Sequence, residues 1–91
     1  MNDKIAIESL SMDLMRVAIG LHRGSYKMAK RFSEEALERC SEVNSSKLKP
    51  YFSHVLNNIK TTLKNPPEER TPEDALMYSI LCKNYAITYL S

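Results

Sequence analysis

Residues that interrupt helices are few in this chain, and their positions divide it into four segments. Only two of the 91 residues are glycine, at positions 20 and 24, and the four prolines lie at positions 50, 66, 67 and 72. Glycine and proline are the strongest local interruptions of regular structure. Between them, apolar residues recur at intervals of three and four, which is the spacing of a helix. The sequence therefore predicts an all-α chain.

Four helices are predicted, over residues 4–22, 26–43, 50–64 and 72–90. Gly24 supplies the left-handed backbone of a tight turn after the first helix. The start of the last helix has the clearest local signal, with Thr71 as N-cap, Pro72 at the first helical position and acidic residues in the first turn. The hydrophobic content of 43% and charged content of 26% are ordinary for a globular protein. We predict one domain over residues 1–91, folded as an up-down four-helix bundle.

The first and last helices each carry two opposed apolar stripes, whereas the second and third helices each carry one. In the first helix Ile7, Leu10 and Leu14 belong to one stripe, and the second stripe lies about 160° away at 100° per residue. A bundle of this size buries one stripe of each helix. We therefore expect homodimerisation to complete or extend the bundle, with another protein as the second choice of partner. The predicted interface consists of the second stripes: Ile5, Met12, Met15, Ile19, Leu76, Ile80, Ile87 and Leu90.

The cysteine content favours a protein of the reducing cytoplasm, and the net charge indicates no particular class of partner. Thirteen basic and eleven acidic residues leave a net charge of only +2, too small by itself to indicate a nucleic-acid or membrane-surface protein. Cys40 and Cys82 are not part of a CxxC motif, and no secretory signal pattern precedes them. No apolar run reaches the roughly 18 residues of a membrane span, so no membrane association is predicted.

No enzymatic chemistry is evident in the sequence. The four residues best able to bind zinc lie in four different predicted helices, without metal-ligand spacing: His22, Cys40, His54 and Cys82. The chain also lacks the glycine-rich loop that cradles phosphates. We predict neither a cofactor nor a small-molecule ligand. The leading interpretation is a cytoplasmic helical-bundle protein that acts by self-association and protein–protein interaction.

A basic cluster around the first turn supports an alternative, nucleic-acid binding. Arg23, Lys27, Lys30 and Arg31 lie close together in the sequence, and such residues give salt-sensitive contacts with phosphates.

Arg16 and His22 lie nearby with five residues between them. This Arg-x5-His spacing resembles the active-site motif of HEPN-domain ribonucleases, which are small helical bundles that dimerise. The resemblance implies RNA cleavage by Arg16 and His22.

A second resemblance concerns the hairpin formed by the first two helices. The pattern Gly24-x-Tyr26-x-x-Ala29, followed by Ala36-Leu37-Glu38, covers residues 24–38. It is similar to the second helix of tetratricopeptide repeats and to the related turn of MIT domains. We interpret it as a shared way of packing a helical hairpin.

Overall fold

The chain folds into four α-helices. A computed structural model describes residues 2–91, and none of these residues forms a β-strand. The elements are α1 (Asp3–His22), α2 (Tyr26–Glu42), a short 3₁₀ helix (Ser45–Lys47), α3 (Pro50–Lys64) and α4 (Thr71–Tyr89). The prediction of an all-α, four-helix fold is confirmed, with helix ends within one residue of the expected positions.

Consecutive helices run in opposite directions. The backbone N–H of Asn44, just after α2, donates to the Asp3 carboxylate at the start of α1 over 3.3 Å. The backbone N–H of Lys49, just before α3, donates to the Tyr85 hydroxyl near the end of α4 over 2.9 Å. These contacts join the start of one helix to the end of another, as an up-down-up-down bundle requires.

The turn between α1 and α2 forms as the sequence predicts. Gly24 has a φ of 73°, the left-handed conformation that glycine adopts without a steric penalty. The N–H of Ser25 donates to the carbonyl of Gly20 over 2.7 Å and closes the turn. At the other end of α1, the Asn2 side chain accepts from the N–H of Ile5 over 2.8 Å and caps the helix.

The start of α4 differs from the prediction in one respect. Pro72 lies in the first turn with Glu73 and Asp74, as expected, but the N-cap residue is Arg70 rather than Thr71. The Thr71 hydroxyl accepts from the backbone N–H of Glu68 over 2.8 Å. It therefore stabilises the turn that precedes α4 and does not cap the helix itself.

Helix α1 lies closer to α2 and α4 along its length than α3 lies to either of them. Small residues permit this. A Cβ atom added at Gly20 would lie 3.1 Å from both the Cβ and the backbone nitrogen of Ala29 in α2. Ser11 of α1 and Ser79 of α4 are both buried at the contact between their helices.

Two clusters of buried apolar residues fill the bundle. In the main core, α3 contributes large side chains such as Phe52, whose ring stacks on Tyr85 of α4 with centroids 4.0 Å apart. A smaller cluster, the minor core, contains Val17, Ala18 and Ala75. The main core consists of Ile7, Leu10, Leu14, Ala36, Cys40, Leu48, Phe52, Leu56, Ile59, Cys82, Tyr85 and Ala86.

The contact between α1 and α4 is fixed by a reciprocal pair of serine hydrogen bonds. The Ser11 hydroxyl donates to the carbonyl of Ser79 over 2.8 Å, and the Ser79 hydroxyl donates to the carbonyl of Ser11 over 2.7 Å. The two hydroxyl oxygens lie 3.2 Å apart. Because the site is buried, each hydroxyl has its partner in the other helix and not in water.

We expect Ser11→Ala and Ser79→Ala each to lower the free energy of unfolding by about 1 kcal/mol. The double variant should lose less than the sum, because either single substitution already removes the 3.2 Å contact between the two hydroxyls, although each hydroxyl keeps its backbone carbonyl when the other is removed. Urea unfolding of the four proteins measures this coupling. Ser41→Ala, in the exposed part of α2, serves as the control and should change little. Additive losses from the two core variants would show that the hydroxyls do not act as a pair.

Candidate interaction surface

An apolar surface covers the side of α1 and α4 that faces away from α3. Seven of the eight residues of the predicted interface lie here, each with 39 to 60% of its surface exposed. Four come from α1 and three from α4, and each set follows a helical spacing. We call this surface the outer face: Ile5, Met12, Met15, Ile19, Leu76, Ile80 and Ile87.

Leu90, the eighth residue, is placed differently. It is only partly exposed and packs against the main core. Helix α4 ends at Tyr89, and the backbone of Leu90 has a φ of −118° and a ψ of 0°. Its N–H still donates to the carbonyl of Ala86 over 3.1 Å, but its side chain packs against the main core and is less exposed than Ile80 and Ile87. The outer face therefore ends at Ile87.

Two further apolar side chains that the predicted interface omits are exposed on α4. Met77 and Leu81 are adjacent in sequence to Leu76 and Ile80, and they extend the apolar surface around the helix. The sequence contained a signal for them, because Lys83 is the only charged residue of α4 after its first turn. A helix that is apolar nearly all round and that packs on few neighbours must expose part of its apolar surface.

A groove of about 400 Å³ lies at one end of the outer face, between the end of α1 and the start of α4. Met15 and Ile19 line it from α1, and Leu76 lines it from α4. The groove thus brings together side chains that are distant in sequence. Its remaining lining residues are Ala18, His22, Arg23, Pro72 and Glu73.

Charged residues of both signs lie on and around the outer face. Arg23 and Glu73 line the groove at one end. Beyond the Ser11–Ser79 contact, Glu8 follows Ile5 on α1 and Lys83 lies between Ile80 and Ile87 on α4. Lys4 also lies at this end, one turn before Glu8. Each end of the outer face therefore has both acidic and basic residues near it.

The predicted basic cluster is divided among several environments. Arg31 pairs with Glu35 in the next turn of α2, with its Nε 3.8 Å from the carboxylate. Arg23 lines the groove on the outer face, whereas Lys30 lines a separate cleft beside α3. Lys27 is exposed. Lys27, Lys30 and Arg31 are three and four residues apart and exposed, so they share one side of α2, while Arg23 lies on the outer-face side of the turn.

Arg16 and His22 contact different neighbours. The Arg16 guanidinium lies 3.5 Å from the Asp13 carboxylate and 5.2 Å from the centre of the Phe32 ring in α2. His22 is exposed and lines the groove on the α4 side. Within one chain, the structure therefore does not bring together the two residues on which the ribonuclease alternative depends.

Both cysteines are buried as free thiols, and both histidines are exposed. Burial raises the pKa of Cys40 to about 11. Burial, together with the negative charge that Cys40 would carry, raises the pKa of Cys82 to about 12. The thiolate is the reactive form of cysteine, so both groups are held in their unreactive form. Among residues 2–91, no three His, Cys, Asp or Glu side chains are grouped so that they could hold a metal ion.

Asp13 is the one charged residue that is buried within residues 2–91, with 5% of its surface exposed. Burial raises the pKa of its carboxyl group above the ordinary value of 3.8, and the Glu35 carboxylate raises it further. Arg16 and Arg39 lower it, without reversing the shift. The burial of Asp13 could not be predicted from the sequence, since it depends on the packing of α2 against this side of α1.

We expect Asp13→Asn to raise the free energy of unfolding at pH 7. The folded-state pKa lies above the unfolded value, so the charged carboxylate is less favourable in the fold than in the unfolded chain. The stabilising contribution of the protonated group is complete below pH 3.8 and is lost as the pH rises through the folded-state pKa. The advantage of the variant should therefore disappear at pH 3, as urea unfolding at both pH values would show.

Glu38→Gln, at an exposed position of α2, is the matched control and should change stability little at either pH. If Asp13→Asn is instead less stable than the original protein at pH 7 and equal to it at pH 3, the ion pair with Arg16 outweighs the cost of burial.

None of the helices within residues 2–91 is long and apolar enough to cross a membrane. Comparisons with known protein families, curated proteins and solved structures find no match for this chain. The outer face and the clefts are the features from which a function can be derived.

Proposed function

We propose that this protein acts without enzymatic chemistry, by pairing its outer face with the same face of a second copy. One observation carries the proposal: seven large apolar side chains from two adjacent helices share one side of the bundle and are each roughly two fifths to three fifths exposed. Large contiguous apolar patches on a folded protein mark interaction sites or cause aggregation. A second copy would cover the patch.

Burial of the outer face supplies the driving force. Full burial of a large apolar side chain is worth about 1.5–3 kcal/mol, so burying the exposed half of each side chain contributes about 1 kcal/mol. Seven such side chains in each of two copies contribute on the order of 10 kcal/mol. The cost of association is about 4–15 kcal/mol. Pairing is therefore favourable only when most of the outer face is buried, which favours one specific arrangement.

The charge pattern favours a second copy over a partner of different composition. A twofold dimer buries the same patch on both copies, so every group must tolerate a copy of itself or of its neighbours. Glu8 with Lys83, and Arg23 with Glu73, place charges of both signs at each end of the outer face. Two antiparallel or parallel copies can both set acidic groups opposite basic ones. A strongly acidic or strongly basic partner would meet charges of its own sign at both ends of this face.

We also propose a cytoplasmic location. The two thiols are free, although Cys40 and Cys82 both belong to the main core. Proteins of oxidising compartments usually pair their cysteines, whereas a reducing cytoplasm keeps them as thiols.

Light scattering coupled to size-exclusion chromatography, at several concentrations, tests the pairing. We expect the original chain to approach twice its mass of 10.4 kDa as concentration rises. Met15→Glu and Ile80→Glu should each return it to a monomer, because each places an uncompensated charge in the buried interface. At least a tenfold rise in the dissociation constant is expected for each.

Asn58→Glu is the matched control, because it adds the same charge at an exposed position of α3. It should dimerise like the original chain, and circular dichroism should show that all three variants keep their helices. A mass that stays at 10.4 kDa up to the highest soluble concentration contradicts the proposal. So does a dimer that Met15→Glu and Ile80→Glu leave intact, since its interface would then lie elsewhere.

A further inference from the structure

A second cleft, separate from the outer face, lies between α2, the end of α3 and the proline-containing linker before α4. Its volume is about 570 Å³, within the range of about 300–1,000 Å³ that is usual for ligand sites. It shares no lining residue with the outer face. Seven of its thirteen lining residues are apolar or aromatic: Val17, Leu21, Tyr26, Ala29, Leu63, Pro66 and Pro67.

The floor of the cleft is continuous with the minor core. Val17 belongs to the minor core, and Leu21 and Leu63 pack against it while remaining partly exposed. Pro66 and Pro67 form part of the wall, and their fixed φ angles restrict how far this segment can move. The cleft is thus a largely pre-formed apolar site, which an aliphatic chain can occupy without reordering the bundle.

Two lysines line the cleft, one from each flanking helix. Lys30 belongs to α2, Lys64 ends α3, and no acidic residue is among the residues that line the cleft. Within residues 2–91 neither lysine forms an ion pair, although Glu34 lies one turn after Lys30. Ser33 and Thr62 add hydroxyl groups to the lining. The polar part of this cleft therefore consists of cations and hydrogen-bonding groups suited to an anion.

We propose that this cleft binds a medium-chain aliphatic carboxylate. The chain lies on the apolar floor formed by Val17, Leu21 and Leu63, and the carboxylate group lies between Lys30 and Lys64. Two lysines beside an apolar floor indicate the class of ligand, because they match one anionic group attached to a hydrocarbon chain. A nucleic-acid strand carries repeated charges and needs a longer row of cations. The site does not depend on self-association, since a monomer contains all of it.

Titration of ¹⁵N-labelled protein with decanoate, below its micelle-forming concentration, tests the site. We expect saturable shifts of the backbone amides of Ala29, Ser33 and Leu63, and none at the opposite end of the bundle around Leu48. Octanoate should bind about fifteenfold more weakly, because each of the two missing methylenes is worth about fourfold in affinity. Decanol, which has the same chain without the charge, should bind at least tenfold more weakly than decanoate.

Two variants separate the charges from the chain. Lys30→Glu/Lys64→Glu should weaken decanoate binding at least tenfold. Lys4→Glu/Lys47→Glu makes the same change in net charge at exposed positions near the other end of the bundle, and it should bind decanoate as the original chain does. Ser33→Phe should abolish binding by filling the cleft without changing its charge. Amide spectra of each variant verify that the fold is retained.

The proposal fails if decanoate leaves the cleft amides unshifted, or if it binds both charge-reversed variants equally well. It also fails if decanol binds as tightly as decanoate, because the lysines would then have no part in recognition. Equal affinity for octanoate and decanoate would show that the chain does not lie on the apolar floor. None of these outcomes bears on the outer face, which is tested by molecular mass.

Discussion

The close approach of α1 to both α2 and α4 is the constraint on which the rest of this structure depends. Gly20 lies against Ala29 on one side, and Ser11 exchanges hydrogen bonds with Ser79 on the other. Small residues at these contacts bring the backbones together, while the large residues of α1 point into the main core. With two neighbours in close contact and a third facing it across the core, α1 has one side left. That side carries Met12, and it is the source of the outer face.

Helix α3 packs against the other helices in a different way. It reaches its neighbours through large side chains such as Phe52, which stacks on Tyr85, and not through close backbone contact. The wider spacing is filled by the main core near the start of α3. Towards the end of α3 it remains open, and the cleft beside Lys64 lies there. Both surface features therefore follow from one asymmetry: small contact residues on one side of the bundle and large ones on the other.

The helices and the outer face could be predicted because they follow from residues that are close in sequence. Proline and glycine positions determine the helix ends, and the spacing of three and four determines which side chains share a face. Contacts between distant segments were not accessible in this way. Asp13 is buried by α2, and the cleft exists only where α1, α2, α3 and the linker meet. The bond from the Glu68 N–H to Thr71 is local, but the same residue type serves as a helix cap or as an acceptor for the preceding turn. Leu90, predicted with the second stripes, is partly buried against the main core because it lies at the end of α4 nearest that core.

The burial of Cys40 and Cys82 has a consequence for following the unfolding of this protein. With pKa values of about 11 and about 12, both groups are almost wholly protonated at neutral pH, and the core also shields them from reagents. Cys40 lines a surface cleft of about 150 Å³, whereas Cys82 is fully buried in α4, so a disulfide-exchange reagent can reach Cys82 only when the helices separate. Labelling of Cys82 in the absence of denaturant would therefore report openings of the whole core, not fluctuations of its surface. The chain carries its own probe of global unfolding.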